Sequence, residues 1–159
     1  KLAILPLFIQ LKWMNLLDSH IGLILVYASG ALPAAVFIMS GFFRSLPSDL
    51  DNAARIDGAS EFQLLTRVLA PLVRPGLAIV AIYSAIPIWN DFFLPNIFIT
   101  TASKMTLPVG IASLAGTSGN TNVILMMASV GMQIVPLLLI FIFTQRFLIQ
   151  SISTTGIRG

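Results

Sequence analysis

A chain of 159 residues that is 57% apolar and only 9% charged, against about a quarter charged in soluble domains, excludes a water-soluble globule. Nine basic and six acidic residues leave a net charge of +3, too small an excess in so apolar a chain to indicate a nucleic-acid partner. The absence of cysteine excludes disulfide scaffolds, thiolate metal sites and Cys nucleophiles.

Residues 2–11 are apolar or uncharged and would rise about 15 Å as a helix, half of the roughly 30 Å of a hydrocarbon core. With Lys1 and no Met at the start, this segment reads as the end of a span whose beginning is missing, and the chain as a fragment of a longer protein. The opening residues lack the charged n-region and cleavage site of a signal peptide. Residues 21–43 carry no charge over 23 positions, about 35 Å of helix, and predict a full span. Residues 76–99 predict a second, interrupted only by Asp91, and residues 122–144 a third. Pro33, Pro87 and Pro136 each fall near the middle of their run, where a missing amide invites a kink; three at matching depth favour a substrate pathway over ordinary packing.

Eight of the fifteen charges lie in residues 44–75. Four of the basic residues are in that loop and two more, Arg146 and Arg158, in the tail at 145–159, whereas residues 12–20 and 100–121 hold only Lys12 and Lys104. The bias places loop 44–75 and the C-terminus in the cytoplasm and 100–121 outside. The outer loop carries the turn-rich cluster Gly116-Thr117-Ser118-Gly119-Asn120-Thr121-Asn122.

Loop 44–75 predicts two short helices. Ser48, after Pro47, caps a first helix to about Ile56 whose apolar face is Leu50, Ala53 and Ala54. Asp57-Gly58 interrupts it, and Ser60 with Gln63 forms a capping box for a second helix with a stripe of Phe62, Leu65 and Leu69, stopped by Pro71 and Pro75. The two make a compact knob suited to a socket in a partner. The alternative, an amphipathic connector lying on lipid, is weaker because four acidic residues balance four basic ones.

Asp91 near a span centre must face protein or water. With Trp89 and Asn90 beside it, it offers an aromatic platform and hydrogen-bonding groups suited to sugar rings and hydroxyls, so Trp89, Asn90 and Asp91 are the candidate substrate pathway; a purely structural polar anchor is the competing reading. Tyr27, Tyr83, Ser129 and Gln133 read as helix-to-helix hydrogen bonds, and His20 as a solvated boundary residue. No phosphate-binding loop with its Lys, no paired carboxylates and no His cluster are present. No catalytic residue, metal or cofactor is therefore expected, and energy for active transport must come from a partner.

The run from Leu46 to Ser60, followed by Leu69-Ala70-Pro71-Leu72 and Pro75, resembles the cytoplasmic loop of binding-protein-dependent ABC importer permeases. Trp89-Asn90-Asp91-Phe92, Met105-Thr106-Leu107-Pro108-Val109-Gly110, Gln145-Arg146-Phe147 and the ending Gly156-Ile157-Arg158-Gly159 are similar to the carbohydrate-uptake, maltose-permease-like branch. The resemblance covers nearly all of residues 1–159 as one transmembrane domain. It implies an all-α polytopic helix bundle of the type I ABC importer permease fold, with three full spans, the end of a fourth and a two-helix coupling loop. It also implies that Asn52, Ala53, Ala54, Arg55, Asp57, Gly58 and Ala59 dock into a cytoplasmic ATPase. The implied partners are ATP-hydrolysing ABC subunits, a second permease subunit forming a heterodimer, an extracellular or periplasmic sugar-binding protein, and membrane lipid, in a prokaryotic plasma (inner) membrane. The family usually has Glu where this chain has Asn52, and Gly where it has Ser151. The function expected is that of a permease subunit of an ATP-driven sugar importer. The alternative from another class is an ion-coupled secondary transporter with Asp91 as its ion or proton site.

Overall fold

The computed structural model describes residues 3–117 and 123–155, and every regular element among the described residues is helical. The polar positions 118–122 and the ending 156–159 lie outside them. The chain divides into two compact units, one of Lys1–Gly30 with Ile86–Leu139 and one of Ala31–Ala85 with Ile140–Gly159.

In the first unit, α1 (Ile4–Trp13), the start of α2 (His20–Arg44) and α7 (Phe93–Phe98) enclose a small core. Leu11, Leu23, Val26, Phe98 and Ile99 are buried there, and the rings of Phe8 and Phe98 stack with centroids 6.4 Å apart. The turn from α1 to α2 uses positive φ at Asn15 and Asp18, residue types that tolerate the left-handed region best after glycine.

The apolar run 76–99 is not one helix. Helix α6 is Arg74–Trp89, 16 residues and so about 24 Å; the chain then breaks at residues 90–92 before α7 begins. Pro87 cannot donate to the carbonyl of Tyr83, and the helix ends two residues later. Pro87 thus lies close to a helix end, whereas Pro33 and Pro136 remain inside long helices. Part of the expected outer loop, Leu107–Thr117, is helix α8, with Pro108 in its first turn, where a missing amide is harmless. Helix α9 runs unbroken from Val123 to Thr155, 33 residues, so residues 145–155 of the expected tail are helical. By length and composition, α2 and residues Val123–Ile142 of α9 suffice to cross a membrane, while α6 qualifies only together with Glu61–Leu72, to which it is bent by 67°.

The second unit contains the charged loop. Helix α3 is Asp49–Ile56. Ser48 does not cap it through its side chain: its own φ and ψ are already helical, which turns the hydroxyl away from the amides it would accept from. Past Gly58, α4 (Glu61–Gln63) widens into a π-helical segment, Leu64–Leu69, and returns to α5, Ala70–Leu72. The predicted stripe is not the buried one. Leu64 is the buried residue at 4% exposure, against which α3 packs, whereas Phe62 at 74% and Leu65 face outward. The bend follows at Val73, because Pro75 lacks the amide that would bond the Pro71 carbonyl.

Candidate functional site

In the loop of the second unit, a short helix needs its ends satisfied before it can present a surface. Ser60 Oγ accepts from the Gln63 amide at 3.3 Å and Gln63 Oε1 accepts from the Ser60 amide at 3.0 Å, a complete capping box. Gly58 stands at φ +77°, the left-handed region that folds α3 back toward α4. Arg55 Nη2 meets Glu61 Oε1 at 2.7 Å across that turn. Both side chains are mostly solvent-exposed, so the pair is worth at most about 1 kcal/mol and acts mainly to fix the angle between the helices. Of the seven docking candidates, Asn52, Ala53, Arg55, Asp57 and Gly58 are exposed, Ala59 is half-buried, and Ala54 is buried. Ile56, one turn on from Ala53, and Phe62 on α4 are large apolar side chains open to solvent.

In the first unit, the break after α6 gathers the polar residues of the apolar run. Asp91 Oδ1 accepts from the Phe93 amide at 2.9 Å, satisfying the first amide of α7 from the residue before its N-cap, Phe92. Asp91 Oδ2 accepts from the Tyr27 hydroxyl at 2.8 Å. Asn90 Nδ2 donates to the Ile86 carbonyl at 2.9 Å, and its Oδ1 accepts from Gln133 Nε2 at 3.2 Å. Trp89 Nε1 donates to the Gln133 carbonyl at 3.1 Å. Trp89, Asn90 and Asp91 are thus adjacent and pinned to α2 and α9, with Tyr27 and Gln133 as the partners and Asn90 exposed. Tyr83 and Ser129 are not part of this set; Ser129 bonds back to Leu125 of its own helix.

One cluster escaped the sequence reading. Asp18 Oδ1 accepts from the amides of Thr100 and Thr101, each at 2.8 Å; Oδ2 accepts from Thr101 Oγ1 at 2.6 Å and from Lys104 Nζ at 2.9 Å. Lys104 Nζ also donates to the Asp18 carbonyl at 2.7 Å, and His20 Nε2 donates to the Lys104 carbonyl at 3.0 Å. His20 is therefore engaged and not simply solvated. The Thr101 hydroxyl first, then the Thr101 amide, the Lys104 ammonium and the Thr100 amide hold the Asp18 carboxyl well below the usual carboxylate range. The only hint in sequence is an acidic residue placed just before a span opposite a lone lysine.

Long uncharged helices, a two-helix loop that gathers the charges and a hydrogen-bonded break within an apolar run are the features of a polytopic membrane protein. Residues 2–154 match the family described as Binding-protein-dependent transport system inner membrane component, and the chain belongs to it. It is 40% identical over 153 residues to the diacetylchitobiose uptake system permease protein NgcG of Streptomyces coelicolor, covering 96% of this chain and 51% of that one. It is 35% identical over 159 residues to the arabinooligosaccharides transport system permease protein AraQ of Bacillus subtilis, covering 100% of this chain and 56% of that one. The chain thus spans about half the length of the curated relatives it matches. Its fold is that of an ABC importer permease: it superposes with a TM-score of 0.76 and 25% identity, over 89% of this chain and 55% of the other, on the crystal structure of a bacterial ABC transporter involved in the import of the acidic polysaccharide alginate. Neither the family nor these relatives support an ion-coupled secondary transporter.

Proposed function

We propose that this chain is the membrane-spanning core of a permease subunit in an ATP-driven, binding-protein-dependent sugar importer, with short oligosaccharides as the substrate class. The observation that carries this reading is its likeness, over nearly its whole length, to uptake permeases for diacetylchitobiose and arabinooligosaccharides. The loop supports a coupling role. Asn52, Ala53, Arg55, Asp57, Gly58 and Ala59, with Ile56 beside them, form a rigid knob that docks on a cytoplasmic ATPase, and Ala54 supports it from beneath. Loop 44–75 and the C-terminus are cytoplasmic, in a prokaryotic plasma membrane. ATP hydrolysis belongs to the partner; a second, different permease chain completes the pathway, and an extracellular binding protein delivers the sugar. Trp89 and Asn90 line that pathway. Asp91 holds the helix break that positions them, since both of its carboxylate oxygens are engaged.

The test is uptake of labelled oligosaccharide by proteoliposomes holding the complete importer. Accumulation with ATP and binding protein, and none with a proton or sodium gradient alone, is the expected result. Accumulation driven by the gradient without ATP would overturn the reading.

A further inference from the structure

Between α4 and α5 the hydrogen-bond ladder changes register and then returns. The Leu64 amide reaches four residues back, to the Ser60 carbonyl at 2.8 Å; the Ala70 amide reaches five back, to Leu65; and the Val73 amide reaches four again, to Leu69 at 3.1 Å. A single widening of this kind lodges one residue more than an α-helix of the same span. Leu64 and Val73, at 4% and 2% exposure, are the buried residues at its two ends. Nine positions apart, they would stand about 180° from each other on an unbroken α-helix, whereas with one residue absorbed the difference is about 80°. Burying both together therefore uses the widening.

Its cause lies at Pro71. In an α-helix that ring would press on the Arg67 carbonyl four residues back, and Pro71 has no amide to offer it. The five-residue bond is made by Ala70, the residue directly before the proline, so the ladder widens where the ring needs room. Thr66 loosens the other end: its Oγ1 donates to the Phe62 carbonyl at 2.7 Å, the acceptor its own amide uses in an α-helix. Pro71 and Thr66 are both exposed, so neither serves to fill a core.

We propose that Pro71 is a positioning residue for coupling: it holds the widening at Leu64–Leu69 open, and the one residue lodged there sets the rotation of the knob relative to Val73. Without the ring the same residues close into a continuous α-helix, and the knob turns by about 100° and moves by about 1.5 Å along the axis. This rests on the coupling role proposed above for the knob, and adds that the docking surface has a rotational setting fixed from outside that surface.

The test uses the assembled importer in proteoliposomes, supplied with binding protein, ATP and labelled arabinotriose or diacetylchitobiose, whichever the wild type accumulates. Pro71→Leu restores the amide and removes the ring, and should lower the sugar taken up per ATP hydrolysed about tenfold. Deleting Thr66 in the same chain takes out the surplus residue and should bring that ratio back to within about twofold of wild type. A side chain needed only for local stability would not be replaced by shortening the helix. Because the chain has no cysteine, spin labels at Asp49→Cys and Leu77→Cys report the setting directly: their separation should shift in Pro71→Leu and return on the deletion. An unchanged separation and ratio in Pro71→Leu would overturn the proposal. So would a loss, of coupling or of assembly, that the deletion leaves unrepaired. Absence of ATP-driven uptake of both sugars in the wild type is a different failure, that of the coupling role itself, and takes this proposal with it.

Discussion

Tyr27 and Asp91, 64 residues apart in sequence, are joined by a hydrogen bond of 2.8 Å from the phenol to Oδ2. This bond ties α2 to the break that separates α6 from α7. Because it ends on a carboxylate, Tyr27→Phe is expected to lower stability in detergent by about 1.5 to 3 kcal/mol. Asp91→Ala removes the acceptor altogether, so Tyr27→Phe should cost little more in that background. Fully additive losses in thermal unfolding would show that the two residues do not act as a pair.

The Asp18 cluster makes a pH prediction. Its donors depress the Asp18 carboxyl below its unfolded value, so its stabilising contribution is complete above the ordinary Asp pKa of about 3.9 and is withdrawn as pH falls below it. Asp18→Asn should therefore lower the unfolding temperature at pH 7, and that deficit should shrink steadily as pH is lowered below about 4. A deficit that stays constant down to pH 2.5 would contradict it.

Gly58→Val places a β-branched residue at φ +77°, a strain of about 1 to 2 kcal/mol. The span helices do not depend on that turn, so the variant should insert normally while ATP-driven uptake collapses. Wild-type uptake by this variant would disconnect the turn from coupling.

Gly76→Val should destabilise the protein by about 1 to 3 kcal/mol, because the added carbons meet the Phe42 ring. Phe42→Ala in the same chain opens that space, and the double variant should recover part of the loss. If the two changes simply add in thermal unfolding, the close approach of α6 to α2 is not the cause.

Asn52 is exposed on α3, on the surface proposed to meet the ATPase. Asn52→Glu should retain or strengthen co-purification of the ATPase, because a charge-assisted hydrogen bond is roughly twice as strong as a neutral one. Reduced co-purification would mean that the partner's surface is adapted to a neutral side chain.

What was legible in the sequence was local. The Ser60–Gln63 box and the turn at Gly58 follow from residue types within three or four positions, and the uncharged runs follow from composition. The helix break at residues 90–92 was hidden because its cause is distributed: Pro87 ends α6 from within, while Asp91 takes the first amide of α7 and binds Tyr27 from another helix. An intraspan aspartate looks the same in sequence whether it meets a ligand or an amide. Ser48 misled for the opposite reason, since its residue type favours a cap but its backbone is already helical. The π-helical segment Leu64–Leu69 is a geometry that α-periodicity does not contain. Asp18 went unread because Thr100, Thr101 and Lys104 lie more than 80 residues away.

The elbow at Val73 has a mechanical meaning. Two rods meeting at 67° do not pass a push straight through: a thrust along Glu61–Leu72 resolves mostly sideways to the axis of Arg74–Trp89 and only in smaller part along it. In the coupling proposed above, the joint acts as a crank, turning a stroke of the loop into a tilt of Arg74–Trp89. Straightening it would leave a piston, which shifts a helix up and down without changing which end of the passage is open.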